Sequence, residues 1–294
     1  MNALLAVMTP DPATAELGGW FLGVIAFCMG ASIGSFLNVC IHRIPEDESI
    51  VRPGSRCPKC RTPLAWYDNV PLLSWVLLRA RCRRCGVRIA ARYPLVELAT
   101  GGLALLALWR LGPTPAALVA FAFTAALLLI TFIDFDHFFI PDEVSLPGIL
   151  IGLAASCLPS GIGLANAVLG AALGGGILWL VAWGYERTTG TEGMGFGDVK
   201  LLAMIGAFVG WQAIPTVLIV ASIAGSFGGV LAIFGPRGRR ALARVRHRLG
   251  WRAVGPFVRR AARRTAIPFG PFLALGAVVA LYLPLFSLPF TLSA

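Results

Sequence analysis

Long apolar runs separated by short polar stretches organise this chain. About 20 apolar residues cross a bilayer as a helix, and such runs fall near 19–42, 94–111, 115–135, 143–159, 163–184, 199–212, 213–235 and 269–289. The run 199–235 is divided at Pro215, its first member holding about 14 clearly apolar residues before Trp211. The pattern predicts an all-α polytopic membrane protein of about eight transmembrane helices, with both chain ends on one side.

Composition agrees with that pattern. The 294 residues are 57% hydrophobic and 13% charged, with a mean hydropathy of +0.78. Soluble domains run to about 45–50% apolar and about 25% charged, so a single water-soluble core is excluded. Disorder and a small disulfide scaffold are excluded as well, because the chain is apolar and has only seven cysteines.

The net charge of +11 matters through its placement. Eleven Lys/Arg lie in residues 43–92 and eleven Arg lie between Arg237 and Arg264; only Arg110, Arg187 and Lys200 fall elsewhere. Six predicted crossings separate the two basic segments, so both share a side, and the positive-inside rule makes that side the cytoplasm. Anionic lipid is then the expected partner of these loops, rather than nucleic acid. Residues 1–18 contain no Lys or Arg, so a retained, translocated N-terminus is expected instead of a secretory signal. Within 237–264, Leu242, Val245, Leu249 and Ala253 follow helical spacing among arginines. This stretch reads either as a helix lying on the inner leaflet or as a solvated basic linker.

Two chemistries stand out. The first is Cys57-Pro-Lys-Cys60 with Cys82-Arg-Arg-Cys85, separated by 21 residues. Two tight turns of this kind aim four sulfurs at one tetrahedral zinc ion. Reduced cytoplasmic thiols among basic side chains favour thiolate ligands over disulfides, with redox dithiols and unliganded thiols as alternatives. Four protein ligands would leave no open position, so the zinc would be structural. Cys28, Cys40 and Cys157 lie in spans and read as small core residues.

The second chemistry is acidic. Ionisable groups inside spans are costly and usually functional. Here they gather at two places: Asp134, Asp136, Asp142 and Glu143 in IDFDHFFIPDE, and Asp198 in GMGFGDVK. Both places fall at the cytoplasmic membrane surface, where two carboxylates can share a proton and activate water. Asp134, enclosed by Phe132, Ile133 and Phe135, is the harder one to dismiss as a mere span end. Asp134 and Asp136 are about 200° apart on a helix and cannot face one partner. Gly195 and Gly197 would admit either a substrate backbone or a close helix. His137 reads as an interfacial residue.

The paired motifs IDFDHFFIPDE and GMGFGDVK resemble those of type IV prepilin peptidases, the GxGD-type intramembrane aspartic proteases. The segments GSFLNVCIHRIP (34–45), RCPKCRTPLAWYDNVPLLSW (56–75), RCRRCGVRIAARYPLVELAT (81–100) and IPFGPFLALG (267–276) extend the likeness over about residues 30–290. The stretch 237–264 is longer than the family leads one to expect. The archaeal branch lacks the cysteine-bearing part, so the chain is similar to the bacterial, bifunctional form.

The resemblance implies Asp134 and Asp198 as the catalytic pair, with Asp136, Asp142, Gly195, Gly197 and Lys200 as candidates around it. It implies type IV prepilins and type II secretion pseudopilins as substrates, cut on the cytoplasmic side between a basic leader and an apolar helix. It also implies N-methylation of the new N-terminus from S-adenosylmethionine. On this reading the chain divides into an N-terminal segment with the first span (1–42), a cytoplasmic zinc subdomain bearing Cys57, Cys60, Cys82 and Cys85 (43–93), and a transmembrane peptidase domain (94–294) with a basic loop at 236–267. The rivals are an ion- or proton-coupled transporter, which would place its acids near mid-membrane, and a zinc-bearing scaffold without activity.

Overall fold

Each predicted span meets a helix in the computed structural model, which describes residues 19–190, 195–234 and 268–283. The helices are α1 (Gly19–Arg43), a short α2 (Leu73–Leu77), α3 (Arg92–Leu111), α4 (Pro115–His137), α5 (Asp142–Ser156), α6 (Leu164–Thr189), α7 (Phe196–Val209), α8 (Ile214–Phe234) and α9 (Gly270–Tyr282). Residues 1–18, the basic loop 236–267 with its expected interfacial helix, and the far end of the last predicted span lie outside the described residues.

Local chemistry sets the helix ends. Thr114 caps α4 by accepting from the Ala117 amide, and Pro115 occupies the first turn, where its missing N–H costs nothing. At the other end Phe138 takes a left-handed conformation (φ 58°) and its N–H closes onto the Asp134 carbonyl. The chain then turns through Phe139 and Ile140 to Pro141, and α5 opens on Asp142 and Glu143, acids placed favourably at a helix N-terminus.

Five helical segments among the described residues are long and apolar enough to cross a membrane: Gly19–Glu46, Arg92–Leu111, Pro115–His137, Leu164–Thr189 and Trp211–Leu231. The other three, α5, α7 and α9, are shorter than these. α7 has 14 residues, and at about 1.5 Å per residue it spans roughly 21 Å of a hydrocarbon layer about 30 Å thick. It stops at Val209 because Gly210 (φ 80°) ends it ahead of the turn Trp211–Ala213. Its side chains Leu201, Leu202, Met204 and Ile205 are fully buried, so α7 is lined by protein rather than lipid.

Small residues let the backbones approach where a bilayer supplies no hydrophobic drive. A Cβ on Gly170 of α6 would lie 2.1 Å from the Gly206 carbonyl oxygen of α7, and one on Gly34 of α1 would lie 2.8 Å from Glu97 Cα of α3. These contacts also reveal direction. Gly148 and Gly152 of α5 meet Met204 and Phe208 of α7, so α5 and α7 run parallel. α6 runs against α7, and α9 runs against α8, with Gly276 on Val217 and Gly228 on Phe272. α9 also packs on both α4 and α7. As a result the last turn of α4 and the first turns of α5, α7 and α9 come to one end of the bundle.

Candidate active site and cysteine cluster

Asp134 and Asp198 meet at that end. Asp134, three residues before the end of α4, is only 5% exposed. Its Oδ2 accepts the Gly270 N–H at 3.0 Å, so the first turn of α9 is capped by a carboxylate from α4. Asp198 is the third residue of α7, half-buried, and lies within reach of the Asp134 charge. Ile140 fills the gap between the two helix ends. A Cβ on Gly197 would meet Ile140 Cβ at 3.0 Å, and a Cβ on Gly270 would meet Ile140 Cδ1 at 3.4 Å. Gly197 is therefore a packing glycine, whereas nothing among the described residues stands within 4 Å of a Cβ on Gly195.

The other acids point elsewhere, as the helical angle requires. Asp136 is exposed and forms an ion pair with Arg92 at the start of α3. Asp142 takes the Lys200 ammonium on both oxygens at 2.7 Å, tying the first turn of α5 to α7. Lys200 also lies 5.4 Å over the Phe196 ring. His137 is exposed, and its ring stands 6.4 Å from that of Phe139. Because Asp134 and Asp198 sit at helix ends and not mid-helix, the transporter alternative is left without support.

Gly270, Ile140 and Arg92 emerge only from the structure. Gly270 lies inside a motif that the family resemblance picks out, yet a backbone amide leaves no chemical signature in a sequence. Glu97 was missed also: 8% exposed on α3, it accepts the Leu72 amide at 2.8 Å and so moors the cysteine-bearing segment to the membrane helices.

That segment is built from two matching turns. Cys57 N–H donates to Thr62 O and Arg61 N–H to Cys57 O; Cys82 N–H donates to Val87 O and Gly86 N–H to Cys82 O. Arg61 (φ 55°) and Gly86 (φ 68°) both take the left-handed turn after the second cysteine. An antiparallel bridge closes each turn, Arg56 on Pro63 and Arg81 on Arg88. Asp68 grips Arg83 between the second pair of cysteines with three hydrogen bonds, the shortest at 2.6 Å.

The four sulfurs lie within 4.8 Å of one another, with Cys57 and Cys85 at 3.7 Å. A tetrahedral ion with bonds of about 2.3 Å would hold its sulfurs about 3.8 Å apart, so the donor set fits a structural metal ion. Hydrogen bonding by Thr62, through its hydroxyl and then its amide, brings the Cys60 thiol down to about 6. Cys85, though lowered by the Val87 amide, is pushed up to about 11 by desolvation and by the sulfurs of Cys57, Cys60 and Cys82. Successive thiolates repel one another, and a divalent cation removes that conflict.

Known proteins match both parts of the chain. Residues 28–111 match the bacterial peptidase A24 N-terminal domain and residues 121–230 match the type IV leader peptidase family. A prepilin leader peptidase/N-methyltransferase of Aeromonas hydrophila is 38% identical over 286 residues, covering 89% of this chain and 91% of the relative. One of Burkholderia pseudomallei is 38% identical over 312 residues, covering 98% of this chain and 93% of the relative. One of Myxococcus xanthus is 44% identical over 232 residues, covering 76% of this chain and 69% of the relative. No solved structure matches. With such identity along nearly its whole length, and both of its parts matched in order, the chain belongs to the type IV leader peptidase family.

Proposed function

We propose that this protein removes the basic leader from type IV prepilins and type II secretion pseudopilins and N-methylates the new N-terminus. Family membership and five apolar helices make it an inner-membrane protein. The cytoplasmic placement of both basic segments and of the active site belongs to the proposal and is supported by the charge asymmetry. The observation that carries the peptidase reading is the convergence of Asp134, held by the Gly270 amide, with Asp198 at one end of the bundle.

Two carboxylates so placed share one proton. The ionised carboxylate takes a proton from water as its oxygen attacks the scissile carbonyl carbon, and the protonated one gives its proton to the carbonyl oxygen. The diol intermediate then collapses. Its hydroxyl proton returns to one Asp, the C–N bond breaks, and the other Asp protonates the leaving amine. Asp136–Arg92 and Asp142–Lys200 act as ties that hold α3 to α4 and α5 to α7 around this pair. Gly197 keeps α7 close to Ile140, and Gly195 leaves room for a substrate backbone. The test is incubation of the purified protein in detergent with a prepilin, followed by mass spectrometry of the product. The expected product begins at the apolar helix. An uncut substrate with folded enzyme would overturn the reading.

Methyl transfer would be supplied by S-adenosylmethionine. The groove among Gly19, Trp20, Gly23, Val24, Phe27 and Leu105 is apolar and does not fit that molecule's ribose and adenine, so no residue of this chain is assigned to the donor.

Zinc is the proposed ion of the four cysteines, because tetrahedral thiolate sites select it. Metal analysis should find about one zinc per chain, and Cys57→Ser, Cys60→Ser, Cys82→Ser or Cys85→Ser should lose it. Since the cluster lies outside the proposed peptidase site, methylation should suffer more than cleavage; equal loss of both in folded protein would count against that division.

A further inference from the structure

The cysteine-bearing segment carries an apolar surface that its own fold does not cover. On α2 and the adjoining turn Trp66–Asn69, Trp66 is 82% exposed, Leu77 71%, Val76 63% and Leu73 55%. α2 packs on that turn, so these residues form one neighbourhood. A soluble subdomain rarely leaves such a set in water. Arg79, Arg81, Arg84 and Arg88, all exposed, follow directly in the chain.

The depth of α2 is fixed by one hydrogen bond. The Leu72 amide, at its N-terminus, donates to Glu97 Oε2 at 2.8 Å. Glu97 lies five residues into α3, a 20-residue helix beginning at Arg92. That is about 7–8 Å below the helix start, at about 1.5 Å per residue. A helix of 20 residues just matches the hydrocarbon layer, and helical side chains lean toward the N-terminus. Leu72 is therefore held at the boundary between headgroups and acyl chains. Leu72 adopts a positive φ of 60° to make this bond, an unfavourable conformation for a leucine that the Glu97 contact helps maintain.

We infer that α2 is an interfacial anchor: Leu73, Val76, Leu77 and Trp66 insert into the anionic leaflet at the Arg92 end of α3, with the following arginines against its headgroups. This rests on the reading that the basic segments lie against anionic lipid, and adds the residues that enter the apolar layer. Interfacial helices bury their apolar face to the depth at which Glu97 holds this one, and arginines beside it find phosphates.

The test uses the full chain with a genetically encoded fluorescent amino acid, which avoids labelling the cysteines. The fluorophore replaces Val76, or Lys59 as a control on the exposed first cysteine turn. The proteins are placed in nanodiscs of phosphatidylethanolamine and phosphatidylglycerol, some brominated high on the acyl chains. Quenching should be about threefold stronger at 76 than at 59. It should weaken when phosphatidylcholine replaces phosphatidylglycerol. Equal quenching at the two positions would overturn the anchor, and indifference to lipid charge would overturn its anionic preference. Quenching at 76 abolished by added prepilin would assign the face to substrate instead. None of these readouts depends on cleavage, so loss of the peptidase reading would leave a distinct result.

Discussion

Asp134→Asn and Asp198→Asn are each expected to lower prepilin cleavage by at least about 10³-fold, while the protein still inserts and accumulates. Proton transfer by a positioned carboxylate contributes about 10²–10⁴-fold, and in a shared-proton pair neither member can do both jobs. Asparagine keeps the shape of the side chain and can still accept the Gly270 amide through its carbonyl oxygen, so α9 stays capped when Asp134 is replaced. The loss should therefore be in chemistry and not in folding. Measuring leader removal by mass spectrometry alongside protein level separates the two. More than a few per cent of activity in either variant would remove the two-carboxylate mechanism.

Gly270→Ala should lower kcat about 10²-fold with little change in KM or in thermal stability. The added Cβ would lie 2.6 Å from Asp134 Oδ2, closer than unbonded atoms approach, and a tight 3.3 Å from its Cγ. The least costly escape is rotation of the Asp134 carboxylate, which breaks the 3.0 Å hydrogen bond. A misplacement of about 1 Å at a catalytic group can cost about 10²-fold. Stability should hold, because alanine is the better residue in a first helical turn by a few tenths to about 1 kcal/mol. Gly270 does not touch the scissile bond in this reading; it positions Asp134. A parallel fall in melting temperature and activity would reduce it to a packing residue, and unchanged kcat would deny it any role.

The two glycines beside the acids show why a sequence leaves such matters open. Gly195 and Gly197 read alike in GMGFGDVK, since either could admit a substrate or a helix. Only the turn after α4, which swings Ile140 across the end of α7, distinguishes them: Gly197 faces Ile140, and Gly195 faces none of the described residues. That turn depends on Phe138 adopting a left-handed conformation and on Pro141 starting α5. No periodicity in the sequence reports where two chain-distant helix ends will be placed.

What the sequence determined by itself is what local physics can carry. Apolar runs require helices in a bilayer, because lipid offers no partner for a free backbone amide, and each run is a helix in the structure. The 200° separation of Asp134 and Asp136 follows from helical geometry alone, and the structure buries the first while pairing the second with Arg92. Cysteines two residues apart dictate a turn that aims both sulfurs one way, and both turns form as that spacing requires. The shortness of α7 was legible, but not why it suffices: its 14 residues serve because neighbouring helices, not lipid, surround it, and a composition window cannot tell apolar side chains facing protein from those facing lipid. Partner choice was not legible at all. The Gly270 amide for Asp134, Lys200 for Asp142 and the Leu72 amide for Glu97 join residues as far as 136 positions apart. Such contacts are made only when helix packing sets the angle and depth of both partners together, and that decision belongs to the tertiary structure.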